Sequence, residues 1–356
     1  MINDERYKMV EQTFLLKGNE EYQKLCKVSI CIPAYGRIET LKQAIDSILN
    51  QTEKNKKYCL IISEDHSDKH EKIKDLIMSY ETEKILYYYN PVPKGMTGNW
   101  NCCFELANTE YVALLHDDDY LYPNYVSTIF KIIESKNTFD LMLFQHDLLV
   151  FDKIDKTTSK IKNIYNNLQR NRWRRIKQGN FIFGGADGII VPTCGILFKR
   201  KPMLEFGGYR KEYGYSADHS FVAEFCKKHK VYFYNKTVSV YRYAETNITN
   251  QGGTKKAFVI EKQEMRKRIA EENMIYSIIY KMFSEGMFYE SMGPYIKHLK
   301  IGEKNDQLWL PGFIVTKRGR RQQKCFEVVK RLYIYGQGII NILFGKRYYE
   351  KKDINL

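Results

Sequence analysis

The sequence predicts an α/β fold: a mostly parallel sheet flanked by helices, followed by a basic, mainly helical C-terminal region. Three observations carry this expectation. Apolar runs of strand length alternate with amphipathic runs of helix length from residue 27 to residue 115, the pattern of parallel strands joined by helices. The polar clusters at 33–37, 64–68 and 116–119 each follow a predicted strand. Ligands bind such sheets beyond the carboxyl ends of the strands, so the three clusters are expected to meet in one crevice. Beyond about Asn250 the pattern turns helical, and Lys255–Leu356 carries 21 Lys and Arg against 11 Asp and Glu, a net +10.

The elements follow in order. Residues 1–26 are mixed polar and read as a helical or irregular lead-in. Lys27 to Pro33 (KVSICIP) is a buried strand stopped by proline. In Thr40–Gln51, Leu41, Ala44, Ile45, Ile48 and Leu49 fall at helical spacing. Tyr58–Ser63 is a second strand, running into Glu64-Asp65-His66-Ser67-Asp68. A helix over Lys69–Tyr80, a strand over Ile85–Tyr89, a loop over Asn90–Gly95 and a helix over Asn99–Ala107 come next. The strand Tyr111–Leu115 then delivers His116-Asp117-Asp118-Asp119 just ahead of Pro123. Asp140–Phe151 reads as a strand, Asp152–Gln178 as a polar, basic stretch, and Gly184–Val191 and Gly195–Phe198 as short apolar runs. Gly207-Gly208-Tyr209 marks a turn, Ser216–Lys228 a helix, and Val231–Tyr234 and Ser239–Tyr243 two strands. The expected organisation is a lead-in over 1–26, a domain over 27–250 and a helical region over 251–356, without internal repeats.

The bulk composition narrows the classes. A chain of 356 residues accommodates two domains or one large domain with an appendage, and 44% apolar content suits a packed core. No apolar run reaches the length of a spanning helix, and Met1-Ile2-Asn3-Asp4-Glu5 lacks the basic-then-apolar pattern of a secretory signal. The expected location is the cytoplasm, with contact to the inner face of the cell membrane left open. The eight cysteines form no CxxC pair and no His-partnered spacing, so they read as reduced core residues and not as zinc ligands. The formal charge of +15 is compatible with nucleic acid, an anionic membrane or an acidic substrate.

Asp117-Asp118-Asp119 is the most informative run. Like charges at the end of a buried strand repel, so stability alone does not favour them. A hard divalent cation relieves the repulsion, and Mg²⁺ or Mn²⁺ commonly shares oxygen ligands with substrate phosphates. The structural alternative is a solvated acidic turn.

Taken in order, these motifs resemble those of the inverting family-2 glycosyltransferases, which have the Rossmann-like GT-A fold. Ser29 to Arg37 (SICIPAYGR) is similar to that family's first strand and nucleotide loop, and Glu64-Asp65-His66-Ser67 to its acidic pair followed by Ser. Asn90 with Gly95 to Asn101 (GMTGNWN) resembles its glycine- and asparagine-containing loop, and the Asp triplet its metal motif. Ala217-Asp218 lies where a Glu-Asp pair often holds the base, and Tyr241-Arg242 with Asn247-Ile248-Thr249 matches the family's later polar positions.

The resemblance implies a nucleotide half over 27–123 and an acceptor half over 124–250. It implies that Asp65 accepts the N3–H of uracil or thymine, that Tyr35 stacks on the base, and that Pro33 and Ala34 approach its edge. Arg37, Asn99, Asn101, Asp117 and Arg242 are the remaining expected nucleotide contacts. Asp117, Asp118 and Asp119 are expected to hold Mn²⁺ or Mg²⁺, with Asp118 as the direct ligand. Asp218 would be the general base, and one base with in-line attack implies inversion. The implied donor is a UDP- or dTDP-sugar, and the implied acceptor a saccharide or lipid-linked oligosaccharide of a bacterial surface polysaccharide such as capsule. Nucleic acid is not an expected partner, and a homo-oligomer is left open.

Each residue also has a plainer reading. Asp65 and Asp218 are suited to capping helices, as is the Asn99–Asn101 segment; Tyr35 could simply pack, and Arg242 could pair with an acidic loop. Three positions depart from the family pattern: His116 stands for a further Asp, Ala217 for the Glu beside the base, and Ala244 for a His. Gln169-Arg170-Asn171-Arg172-Trp173 spells the Q-x-x-R-W signature of processive synthases but precedes Asp218, so it reads as coincidence within a solvated basic loop.

In the tail, the apolar residues of Phe326–Tyr349 are bracketed by Lys and Arg. That suits a helix in a membrane interface, or one packed on the catalytic domain or a second subunit. Gly336, Gly338 and Gly345 argue against one continuous helix. Two other classes fit the sequence less well. A sugar-1-phosphate nucleotidyltransferase would need a Gly-rich basic loop that Ala34-Tyr35-Gly36-Arg37 does not supply. A basic nucleic-acid-binding protein leaves the Asp triplet unexplained.

Overall fold

The computed structural model describes residues 10, 12–135, 138–150, 153–155, 172–183, 194–243, 252–296, 300–302 and 314–344. Two compact units make up the chain: Met1–Thr158 with Val191–Lys211 and Lys228–Tyr243, and Ser159–Ile190 with Glu212–Lys227 and Ala244–Leu356.

The first unit is built on one sheet. Its early elements are β1 (Phe14–Lys17), α1 (Glu21–Lys24), β2 (Val28–Ala34), α2 (Glu39–Leu49), β3 (Tyr58–Asp65), α3 (His70–Met78), β4 (Ile85–Asn90), α4 (Gly95–Leu106) and β5 (Tyr111–Leu115). β6 (Tyr120–Leu121), α5 (Tyr125–Ile133), β7 (Leu141–Val150) and β8 (Lys153–Asp155) follow. After β9 (Trp173–Arg175) and α6 (Gly179–Ile182), which belong to the second unit, come β10 (Cys194–Lys199) and α7 (Arg200–Phe206). α8 (Ala217–Phe225) is again in the second unit, and β11 (Val231–Tyr243) completes the first.

The strand order is β1-β4-β3-β2-β5-β10-β7-β11-β6, with β8 on β7. The β4-β3-β2-β5 core is parallel, as expected, and β7 and β11 are also parallel. β1, β10, β6 and β8 add antiparallel pairs. β2 and β3 are buried along their whole length, which is why they read as continuous apolar runs and not as alternating ones. α2 buries Leu41, Ala44, Ile45 and Ile48 in the predicted stripe.

The pairing pattern opens a split in the sheet. β2 pairs with β5 from Val28 to Cys31, the last pair being Cys31 with Leu114. It stays on β3 up to Ala34, opposite Glu64. Pro33 has no amide proton to donate, and it lies beyond the last β5 pair, where no partner needs one. The chain leaving β5 is therefore free to turn into His116–Asp119 beside the end of β2. The direction of chain progression reverses between β2 and β5, the position where open sheets bind ligands.

Several elements differ from expectation. The lead-in contains β1, an antiparallel edge strand on β4. β3 extends to Asp65, so the acidic pair lies inside the strand. α4 starts at Gly95, four residues before the predicted start. β11 is one strand, not two, because two register shifts between Tyr234 and Ser239 let it bend while staying on β7.

In the second unit, α9 (Gly252–Glu271), α10 (Met274–Ile296) and α11 (Lys317–Phe344) succeed one another. α10 and α11 are antiparallel: Tyr276 and Tyr333 both close on Gly179, Phe283 lies by Phe326, and the Tyr289 ring covers Gly319. Arg266 is wholly buried and meets Glu290 at 3.0 Å, which Lys330 also reaches at 2.9 Å. α11 runs through Gly336 and Gly338 without a break, its packing on α10 offsetting the roughly 1 kcal/mol each glycine costs a helix. In the stretch expected to be a solvated basic loop, Arg172 and Arg174 are buried; Arg170, Gly184–Val191, Ala244 and Asn247–Thr249 lie outside the described residues. No described helix is long and apolar enough to cross a membrane.

Candidate functional site

In the first unit, the three polar clusters expected to converge do so. The backbone amide of Tyr35, just past β2, donates to Asp117 Oδ2 at 2.9 Å. Arg37 Nη1 reaches Asp117 Oδ1 at 2.6 Å and Asp118 Oδ2 at 3.3 Å. Gly36, between them, has φ +67°, a left-handed turn that glycine adopts without strain and that brings Arg37 back over the acidic turn. Pro33 and Ala34 are buried at the end of β2. Tyr35 is 62% exposed, so its ring is available to a ligand and is not used for packing.

At the end of β3, Asp65 is buried and heavily bonded. Its Oδ2 accepts from the amides of Lys94 and Gly95 at 3.0 and 2.9 Å, and its Oδ1 from Asn90 Nδ2 at 3.1 Å. The carboxylate thus sits on the N-terminus of α4, not on the helix that directly follows it. Burial pushes its pKa up, and these donors pull it back. Each carboxylate oxygen has two acceptor directions, so the bonds leave capacity for a further donor. Asn99 donates to Ala34 O at 3.3 Å, while its buried Oδ1 has no hydrogen-bond partner.

The acidic turn itself is almost fully buried, with Asp119 1% exposed. Asp119 Oδ1 accepts the Arg242 amide at 2.9 Å, and Arg242 Nε donates to Asp118 O at 2.9 Å. Asp119 Oδ2 is buried without a hydrogen-bond partner, the Cys194 thiol beside it being a weak donor at best. Burial, and then the charge of Asp118, hold the Asp119 carboxyl well above its ordinary range. Burial pushes Asp117 up to about 6, against the pull of Arg37.

His116, Asp118 and Asp119 each offer a donor atom within 4.8 Å of the others. One imidazole and two carboxylates, with a buried unpartnered oxygen among them, fit a divalent cation. Asp117, expected among the ligands, is engaged instead by Tyr35 and Arg37. His116, which the sequence marked only as a departure, stacks on Trp100 with ring centroids 5.1 Å apart. That stacking fixes the imidazole plane. Gln43, also missed, accepts from the guanidinium of Arg242. Only tertiary pairing of α2 with the end of β11 brings those two together, so no local signal announced it.

Asn101 goes elsewhere. Its Nδ2 donates to Tyr209 O and its Oδ1 accepts from Tyr209 N, both at 2.8 Å. Each polar end of the amide thus makes one bond to Tyr209, beside the turn at Gly207-Gly208.

In the second unit, Asp218 lies in the first turn of α8. Its Oδ1 accepts from the His219 amide at 2.8 Å and lies 3.1 Å from His219 Nδ1. Burial lowers the His219 pKa, but the Asp218 charge and hydrogen bond outweigh it and the net shift is upward. Ahead of Asp218, Glu261 of α9 accepts from the amides of Tyr215 and Ser216 at 3.1 and 2.7 Å. Glu261 thus holds the approach to the helix, while Asp218 itself accepts a first-turn amide of it.

A family model described as glycosyl transferase family 2 matches residues 29–200, from the first core strand through β10. Through that domain the chain belongs to glycosyltransferase family 2. Among curated proteins, it is 32% identical over 112 residues to the Escherichia coli UDP-Glc:alpha-D-GlcNAc-diphosphoundecaprenol beta-1,3-glucosyltransferase WfaP, covering 32% of this chain and 43% of that protein. The chain spans 21% to 43% of the length of the first curated relatives it matches. Among solved structures, S. aureus TarS 1–349 in complex with UDP-GlcNAc aligns with a TM-score of 0.52 at 14% identity, over 87% of this chain and 92% of that one. The mannosyltransferase PcManGT from Pyrobaculum calidifontis, in complex with GDP-Man and Mn²⁺, aligns at 0.51 and 10% identity, over 95% and 93%. At such identities these likenesses speak to the fold, which is GT-A.

Proposed function

We propose that this family-2 glycosyltransferase is metal-dependent and inverting, moving a sugar from a UDP- or dTDP-sugar to a saccharide or lipid-linked saccharide in bacterial surface polysaccharide synthesis. The observation that carries the reading is the convergence of Asp65, Tyr35 and the His116, Asp118 and Asp119 donors at the ends of β3, β2 and β5. Asp65 would accept the N3–H of the pyrimidine, and Tyr35 would cover its face. The unpartnered Asn99 Oδ1 suits a ribose hydroxyl. Arg37, already lying over Asp117 and Asp118, would meet the diphosphate.

His116, Asp118 and Asp119 would hold Mn²⁺, the imidazole favouring it over Mg²⁺. When bound, the cation supplies Lewis-acid stabilisation of the departing diphosphate. The Arg242 amide and guanidinium hold the acidic turn in place for it. The proton of the acceptor hydroxyl would pass to Asp218, whose carboxylate is oriented by His219. One base with in-line attack by the acceptor would give inversion.

A lipid-linked acceptor would bring the protein to a membrane surface while it works. The test is calorimetric titration with UDP, with and without Mn²⁺. Metal-dependent UDP binding that Asp118→Ala abolishes supports the reading. Equal UDP affinity in chelator, or none in either condition, overturns it. Competition with dTDP decides the base.

A further inference from the structure

We propose that the outward face of α11 is a docking surface for an anionic phospholipid bilayer. α11 presents one continuous exposed stripe, Lys317, Arg321, Lys324, Val328, Leu332, Tyr335 and Ile339. The spacings of three and four residues keep it on a single side of the helix. The stripe is roughly 33 Å long at helical rise. Its first part is cationic and the rest is apolar, with Leu332 69% and Ile339 56% exposed.

Gly319, Phe326 and Tyr333, which meet α10 and Gly179, lie on the opposite side of the helix, so the stripe faces away from α10. α10 carries a row of its own, Met274, Ile278 and Met282, again four apart and 78%, 52% and 60% exposed. Large apolar side chains exposed in a row form a patch, and patches of this kind mark contact surfaces.

Charge decides the occupant. α11 has seven Lys and Arg against one acidic residue, Glu327. A bilayer with acidic headgroups offers negative charge at its surface and hydrocarbon just below, matching a stripe that is basic at one end and apolar at the other. A second copy of the chain fits poorly. Parallel pairing through this stripe would set cation on cation, and antiparallel pairing would bury the cations of one copy against the apolar part of the other. The inference does not depend on the transferase reading.

The test is co-sedimentation of the full chain with phosphatidylcholine vesicles, with and without phosphatidylglycerol. Association with the phosphatidylglycerol vesicles is expected. Leu332→Glu with Ile339→Glu should reduce it by roughly tenfold per side chain. Arg321→Glu with Lys324→Glu should reduce it by roughly fivefold per charge at low salt and less at high salt. All four positions are exposed, so circular dichroism and the unfolding midpoint should be unchanged. No association, or association that neither pair of substitutions weakens, overturns the proposal. So does a wild-type dimer in sedimentation velocity that Leu332→Glu with Ile339→Glu dissolves, since a second copy would then own the surface.

Discussion

Asp119→Asn should make the metal-free protein more stable while removing its response to Mn²⁺. Asp119 is 1% exposed, one oxygen accepts the Arg242 amide, and the other has no hydrogen-bond partner. Arg37 pairs with Asp117 and Asp118, and no described ion pair reaches Asp119. Asparagine keeps the shape and the acceptor while deleting the charge. Leaving such a group unsatisfied costs about 1–3 kcal/mol, so the variant should gain about that much in chelator, several degrees in unfolding midpoint.

The sign with pH follows from the raised pKa. The unfolded chain ionises this carboxyl near pH 4, while the folded chain holds its proton to higher pH, so wild-type stability falls as pH rises between the two values. The advantage of the variant should therefore vanish near pH 4 and be widest at neutral pH. With Mn²⁺ at a hundred times its dissociation constant, the wild type should recover about 2.7 kcal/mol, whereas the variant lacks one of three donors and should recover little. Thermal unfolding in chelator and in Mn²⁺ across pH 4–8 reads all of this. A variant less stable than wild type in chelator, or one that gains equally from Mn²⁺, would refute the idea that the acidic turn gives up stability to hold a cation.

Three further outcomes are expected. Asp218→Asn should bind UDP-sugar with unchanged affinity and lose transfer by about 10²-fold or more; near-wild-type turnover would remove Asp218 from the chemistry. Tyr35→Ala should weaken UDP binding roughly tenfold or more through lost stacking, without shifting the unfolding midpoint, because the ring is 62% exposed; a destabilised variant would mean that the ring packs. Asn101→Ala should cost about 1–3 kcal/mol of stability by stranding the Tyr209 amide and carbonyl, with the UDP affinity unmoved; calorimetry on the folded variant checks the second half.

Much of the first unit was legible because its strands are buried on both faces. β2, β3 and β5 read as uninterrupted apolar runs, and each ends in polar residues that only a site would want. β1 was not legible: four residues, Phe14–Lys17, carry no alternation, and the pairing with β4 that makes them a strand lies about 70 residues away. β11 was read as two strands because bulges interrupt its alternation, and a bulge is fixed by the partner strand, not by the bulged sequence. Asn101's bonds to Tyr209 were not legible for a related reason. Its neighbour Asn99 does point to the end of β2, but two residues further along a helix means a rotation of about 200°, which turns Asn101 toward Tyr209.

His116 illustrates what a one-dimensional reading loses. As a letter it is a departure from a row of aspartates. In the fold it shares a donor group with Asp118 and Asp119, and Trp100 stacks against it. The tryptophan belongs to α4, whose N-terminus is held by Asp65. The residue expected at the base and the residue that replaces an expected aspartate are therefore linked through one helix. Nucleotide contact at Asp65 would bear on the same amides that set α4, and α4 carries the ring that fixes His116. Coupled binding of nucleotide and cation would follow from that link even without direct contact between the two ligands. It would appear as a Mn²⁺ affinity that rises with UDP in the wild type and loses part of that rise in Trp100→Leu, which keeps an apolar side chain but not the stacking plane.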